Sequence, residues 1–301
     1  KADVLARVKD GVSVQAAMVA AGKKPDTVRQ WMNRDPEFAR ALEEAKEQGS
    51  KQSFTAMGVE KESIPFADFS KMFFDQTVFP HHQDWVDLLE GREPSWLHPS
   101  MIYEPGEENR LLVNVPPEHA KSTVITVNYP TYRIALNPNI RIIVVSKTLN
   151  KAREFVYAIK QRLSHPRWLK LQTAYGPEGG WKEDADTWRT DTVYLGGDAR
   201  NSSEKDPTLQ ALGMGGQIYG ARADLIIMDD CVDHTNAHEY EKQIDWIQSE
   251  VMSRIDYDGG KLLVVGTRLR PKDLYSELRD PMRYPDETSP WTYFAQPAVL
   301  E

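Results

Sequence analysis

A lysine followed by two hydroxyl residues, Lys121-Ser122-Thr123, closes the short turn Val115-Pro-Pro-Glu-His-Ala120, which directly follows the apolar run Arg110-Leu-Leu-Val-Asn114. A strand, a tight turn and Lys-Ser at a helix start form the layout of a phosphate-binding loop. Backbone N–H groups and a helix N-terminus face the phosphates, the ammonium meets the β/γ oxygens, and the hydroxyl holds Mg²⁺. Pro117, Glu118, His119, Ala120, Lys121, Ser122 and Thr123 would line such a site. The usual pattern has glycine where this chain has Val115 and Ala120, so the loop taken alone is equally a plain strand-to-helix turn.

A second group of residues supplies what that chemistry lacks. Asp224-Leu-Ile-Ile-Met-Asp-Asp230 has four apolar residues in a row, as in a parallel strand buried on both faces. Asp229 then falls at the C-terminal end of the strand, where open α/β sheets place their ligands. It would hold Mg²⁺ together with Ser122, while Asp230, pointing the other way, would polarise the attacking water. The bland alternative is a core strand ending in a solvated Asp-Asp turn. A third element is Gly266-Thr-Arg268, after the apolar run Lys261-Leu-Leu-Val-Val265. A hydroxyl and a charge at that strand end could respond to loss of the γ-phosphate.

These residues need a sheet to bring them together. Strand-like runs are expected at 110–115, 140–145, 192–195, 224–228, 261–265 and 291–295. Phe155, Val156, Ile159 and Leu163 mark one helical stripe, and Tyr240, Ile244, Ile247, Val251 and Ile255 another. The second opens with a capping-box spacing at Asn236 and Glu239. Alternating strands and helices predict a mostly parallel α/β sheet flanked by helices. Residues 164–223, rich in Gly, Trp and Asp, break the alternation and are expected to form hairpins or excursions at the sheet edge.

Residues 1–50 form a separate unit in this pattern. Leu5 and Val8 mark a first helix; Ser13 can cap a second over 14–21; Gly22-Lys-Lys-Pro25 makes a turn; Asp26 to Asn33 forms a third, burying Val28 and Trp31 or Met32. A fourth helix runs from Phe38 to Gln48. The arrangement suits a helix-turn-helix with Lys23, Lys24, Arg29, Gln30 and Arg34 on its polar face, or a plain helical hairpin used for assembly. Residues 51–64 are mixed and polar, and read as a linker to a domain over 65–301.

Of the 301 residues, 40% are hydrophobic and 27% charged, enough for one large or two smaller globular domains. The net charge of −8 argues against a generic nucleic-acid coat but leaves room for a local basic surface. One cysteine, Cys231, excludes an internal disulfide and a Cys-based zinc site and fits an intracellular protein. No apolar run approaches membrane-spanning length, and no secretory signal is visible.

Together these residues resemble a known family. Pro116-Pro-Glu-His-Ala-Lys-Ser122 resembles the Pro-Pro-Arg-His-Gly-Lys-Ser loop of large terminase subunits from tailed bacteriophages. Gly216 to Asp230 is similar to that family's Gly-rich lead into its acidic strand, and Trp246, Ser253-Arg254, Gly266-Thr-Arg268 and Asp273-Leu274 resemble its coupling segment. The resemblance covers about residues 65–300. It implies an ASCE-type P-loop NTPase fold and a motor that uses ATP and Mg²⁺ to drive double-stranded DNA into a procapsid. It also implies a ring, taken as a pentamer, on the portal protein, a small terminase subunit as partner, and the host cell cytoplasm as location. A C-terminal nuclease domain, also implied, is expected to be absent, because the chain stops about where the connection to it would begin. The N-terminal unit resembles helix-turn-helix units of small terminase subunits and transposase-like proteins.

By the same resemblance, Gln83, after His81-His82, would read the adenine edge. Lys121, Asp230 and Thr267 would act in catalysis, with Ser122 and Asp229 on the metal. A ring motor also needs an arginine from the neighbouring subunit, for which Arg222 is the first choice and Arg200 the second. Four departures stand out: Glu118 where the family often has Arg, Ala120 for Gly, Cys231 where many relatives have Pro, and Asp230 where many motors have Glu. Ala120 fits if its φ stays negative. A DNA helicase or translocase, or a non-catalytic DNA-binding assembly protein with a dead loop, are the rival readings.

Overall fold

A nine-stranded, mostly parallel sheet flanked by helices on both faces carries the candidate site, as seen in a computed structural model. The described residues are 1–10, 14–24, 27–57, 64–197, 200–201, 203–218 and 220–299. Ser13, Pro25, Asp26, Tyr219 and residues 58–63 of the expected linker lie outside them.

In chain order the strands are β1 (Ile102–Glu104), β2 (Glu107–Asn114), β3 (Ile142–Ser146), β4 (Thr187–Trp188), β5 (Thr192–Tyr194), β6 (Leu209–Gly213), β7 (Leu225–Asp229), β8 (Lys261–Gly266) and β9 (Trp291–Ala295). Their spatial order is β1-β9-β2-β8-β7-β3-β6-β5-β4. Pairing is parallel from β9 to β6 and antiparallel only at the two margins. One strand, β8, lies between β2, which leads into the Lys121 loop, and β7, which ends at Asp229.

The central strands read as continuous apolar runs because both faces are covered. Leu111, Val113, Ile142, Val144, Leu225, Ile227, Leu263 and Val265 face one core. Leu112, Ile143, Val145, Ile226, Met228, Leu262 and Val264 face the other. The first core is covered by α5 (Phe66–Phe69), α6 (Pro80–Leu89), a helix that starts as a widened, π-helical segment (Ser122–Asn128) and continues as α7 (Tyr129–Leu136), α8 (Leu149–Ser164) and α9 (Leu169–Tyr175). The stripe Phe155, Val156, Ile159 and Leu163 is buried on α8. The second core is covered by α10 (Tyr240–Trp246) and α11 (Leu274–Arg279).

Two local expectations change. Asn236 does not cap α10: its carboxamide bonds the Asp233 N–H and the Cys231 carbonyl instead, holding the loop after β7. Within 164–223, β4 and β5 form the expected edge hairpin, but Leu209–Gly213 is a parallel strand inside the sheet, beside β3. It was hidden because Leu-Gln-Ala-Leu-Gly is short and weakly β-prone; its pairing with Ile142–Ser146 decides the matter.

The N-terminal unit consists of α1 (Ala2–Lys9), α2 (Val14–Ala20), α3 (Thr27–Arg34) and α4 (Pro36–Met57). Val4, Val8, Ala17, Met18, Phe38, Leu42 and Ala45 form its own small core, with Trp31 edge-on to Phe38. The fourth helix therefore runs past Gln48 into the segment expected as a linker. Its Ala, Glu, Lys and Gln content has high helix propensity, which outweighs one internal glycine.

Candidate functional site

Parallel register sets the site. Asn114 at the end of β2 is opposite Gly266 at the end of β8, and Val265 is opposite Asp229 at the end of β7. The loop after β2, the turn after β8 and the Asp229-Asp230 pair thus meet beyond the C-terminal ends of three central strands. The Thr267 hydroxyl donates to the Val115 carbonyl at 2.8 Å, and the Val115 N–H donates to Gly266 at 3.0 Å. The turn after β8 is therefore tied to the first residue of the loop. Gly266 is required there, because a Cβ would fall 1.9 Å from the buried Tyr275 hydroxyl.

The loop turns through two left-handed residues, Glu118 (φ 65°) and Ala120 (φ 58°). This corrects the expectation of a negative φ at 120. Alanine there costs roughly 1–2 kcal/mol over an unstrained conformation. The surroundings hold the bend: His119 Nδ1 lies 2.8 Å from the Pro117 carbonyl, and His82 Nε2 from α6 lies 3.2 Å from the His119 carbonyl. Burial pushes the His82 imidazole down to about 4, against the bond to the His119 carbonyl, and the neutral ring leaves Nδ1 free to accept from the Phe79 N–H. Glu118 is exposed and so turned toward solvent.

Lys121 opens the π-helical segment that carries Ser122. Its ammonium lies 2.9 Å from Asp230 Oδ2. Asp230 takes a left-handed conformation (φ 47°) and is half-exposed, whereas Asp229 is fully buried. Burial is the main reason that the Asp229 carboxyl is raised to about 6; the Thr126 hydroxyl bond, Ser122 and Lys121 partly oppose the rise, and Asp230 adds to it. Oδ2 accepts from Thr126 Oγ1 at 2.7 Å, and Ser146 Oγ donates to the Asp229 carbonyl at 2.8 Å. Asp229 Oδ1 has no hydrogen-bond partner among the described residues. A buried, unpaired carboxylate oxygen beside a serine hydroxyl is a fitting donor pair for Mg²⁺, which takes one or two protein oxygens and fills its shell with phosphate and water. No group of three or more His, Cys, Asp or Glu able to hold a metal occurs among the described residues.

No family model matches the chain, and no curated protein matches it in sequence. Among solved structures, the chain is similar to the HK97 bacteriophage large terminase. The two share 13% identity with a TM-score of 0.46, over 74% of this chain and 40% of that one. The chain thus spans less than half the length of that protein.

The remaining expected site residues are placed as follows. Gln83 sits on α6 with its amide donating to Asp87 at 2.9 Å. The neighbouring rings Phe79, His81, His82 and Trp85 cluster at the start of this helix, with His81 6.3 Å from the His119 ring. Arg268 is not free to sense a phosphate: its guanidinium is bound to Asp273 and to the carbonyls of Arg270 and Pro271. Arg222 is exposed and precedes β7, at the opposite end of that strand from Asp229. Arg200 is buried and donates to the Asp206 carbonyl. Two residues of the site were not expected at all, Thr126 and Ser146. Thr126 could have been found from its spacing, four residues after Ser122 on the same helical face.

The raised carboxyl of Asp229 has a measurable cost. Between its ordinary value of 3.8 and about 6, the folded protein binds more protons than the unfolded chain, so stability falls as pH rises through that window. The shift amounts to about 3 kcal/mol. Without nucleotide and with metal chelated, Asp229→Asn should therefore raise the melting temperature above pH about 6, and the gain should vanish below pH 3.8. A stability difference that does not vary with pH would contradict the buried ionised carboxylate.

Proposed function

We propose that the chain is the ATP-hydrolysing motor domain of a viral terminase large subunit, driving double-stranded DNA into a procapsid. One observation carries the hydrolytic part: Lys121 and Ser122 after β2 converge with Asp229 and Asp230 after β7, with one parallel strand, β8, between them, in ASCE order. Support for DNA packaging is the motif resemblance of Pro116–Ser122, Gly216–Asp230 and Gly266–Arg268.

The positive-φ loop and the first turn after Lys121 offer backbone N–H groups to a triphosphate. Entering phosphates compete with Asp230 for the Lys121 ammonium. Once released, the Asp230 carboxylate can accept a hydrogen bond from a water aligned with the γ-phosphorus. Water attacks phosphorus, the bond to the β–γ bridging oxygen breaks, and ADP and phosphate leave with one proton passed to solvent. Mg²⁺ held by Ser122 and Asp229 would supply charge neutralisation at the phosphate oxygens. Thr267, bonded to the loop's first carbonyl, transmits any shift of the loop to β8. In solution, phosphate release from ATP by the purified chain in Mg²⁺ tests the reading; no turnover and no nucleotide binding would overturn it.

The N-terminal unit fits the same reading as a DNA-contacting module. α3 packs Val28, Trp31 and Met32 inward and leaves Arg29, Gln30, Asn33 and Arg34 exposed, with Lys23 and Lys24 in the preceding turn. Arg, Gln and Asn are the side chains that pair bidentately with guanine and adenine edges. The double variant Arg29→Ala/Arg34→Ala should weaken duplex binding by roughly tenfold or more at fixed salt and flatten its salt dependence. Fluorescence anisotropy with a labelled duplex measures both, and unchanged binding would leave α3 as an assembly surface.

A further inference from the structure

The fold treats the two carboxylate oxygens of Asp229 differently. Oδ2 is bonded to the Thr126 hydroxyl at 2.7 Å, and both side chains are fully buried. Oδ1, equally buried, is left without a partner among the described residues. The Asp229 main chain is fixed separately, by the Ser146 hydroxyl on its carbonyl at 2.8 Å. A carboxylate turns easily about its last bond, because that torsion is broad. One hydroxyl therefore pins the backbone of this residue, and the other pins the rotation of its carboxylate.

We infer that Thr126 is the positioning residue for the metal-binding carboxylate: by holding Oδ2, it leaves Oδ1 as the oxygen presented to a divalent cation beside Ser122. The inference rests on the Mg²⁺-nucleotide reading of the site. Its particular content is that one helical segment, Ser122–Asn128, carries both the hydroxyl offered to the metal and the hydroxyl that aims the carboxylate. A displacement of this segment would then move both groups together. Ordinary structural burial of a threonine would predict a loss of stability on substitution and nothing more.

Thr126→Val keeps the shape and removes the donor; Thr126→Ser keeps the donor. The test follows binding of a fluorescent ATP analogue to the full chain, first in chelator and then across a Mg²⁺ titration. The valine variant should bind the analogue in chelator as wild type does, but should need ~10-fold or more Mg²⁺ to reach half of the metal-dependent gain. Serine should restore the wild-type requirement. Direct Mn²⁺ binding in the presence of nucleotide should show the same order. If valine does not fold, Thr126→Cys, a weaker donor, carries the same expectation. A wild-type Mg²⁺ requirement in the folded valine or cysteine variant would sink the role of Thr126. If wild type itself binds no nucleotide with or without Mg²⁺, the ATP-site reading fails instead.

Discussion

Lys121→Ala should leave a folded protein that no longer turns over ATP, with a rate loss of roughly 10²–10³-fold or more. The ammonium is the one cation that the loop itself places beside the candidate phosphate position, since Glu118 stands where an arginine would add a second. Its ligand-free partner is Asp230, so removing it also leaves that carboxylate unpaired. Asp230 is half-exposed, and water can replace the ammonium at a cost of about 1 kcal/mol or less. Melting temperature should therefore stay close to wild type while phosphate release falls to background. A variant that hydrolyses ATP at a near-wild-type rate would remove the phosphate-loop assignment. A wild-type chain that binds nucleotide without hydrolysing it would favour the dead-loop reading.

How much of this was legible in the sequence depends on the range of the forces involved. β3, β7, β8 and the second half of β2 were readable because a strand segment covered on both faces reads as a nearly continuous apolar run, and Leu225–Met228 or Leu262–Val265 need no partner to say so. Their meeting beyond the C-terminal ends of the central strands followed from placing the acidic pair and the Lys-Ser loop at strand ends. The geometry inside the loop did not follow. Ala120 reads as a residue that avoids positive φ, yet the contacts of His119 with Pro117 and of His82 with His119 hold the turn in that form. Tertiary contacts outweigh about 1–2 kcal/mol of local preference. Asn236 fails as a helix cap for a similar reason: Asp233 and Cys231 offer its carboxamide two bonds in place of one. The Thr126–Asp229 bond joins residues 103 apart in sequence, and only the sheet brings them together.

Arg222→Ala should show its defect only where subunits meet. β7 separates Arg222 from Asp229, and five extended residues at about 3.3 Å each exceed the reach of an arginine side chain. Arg222 therefore has no access to the site of its own chain. It is nevertheless exposed, its backbone N–H donates to Asp206, and its charge is only the smallest of the influences that lower Asp256, so the guanidinium can be presented to a neighbour. Arg200, the other candidate, is buried with its guanidinium on the Asp206 carbonyl, and would have to leave that pocket first. An arginine supplied across an interface accelerates phosphoryl transfer by roughly 10³–10⁵-fold. Dilute Arg222→Ala should thus match the slow basal turnover of dilute wild type, and should lack most of the gain seen on assembly. Mixing it with Lys121→Ala should recover part of that gain, because Lys121→Ala subunits still offer Arg222 to sites whose Lys121 is intact. Recovery in mixtures but in neither variant alone is the signature of an arginine acting in trans. If every mixture remains at the basal rate while the variants still co-assemble, Arg222 is a surface residue and the transition-state charge must come from another cation.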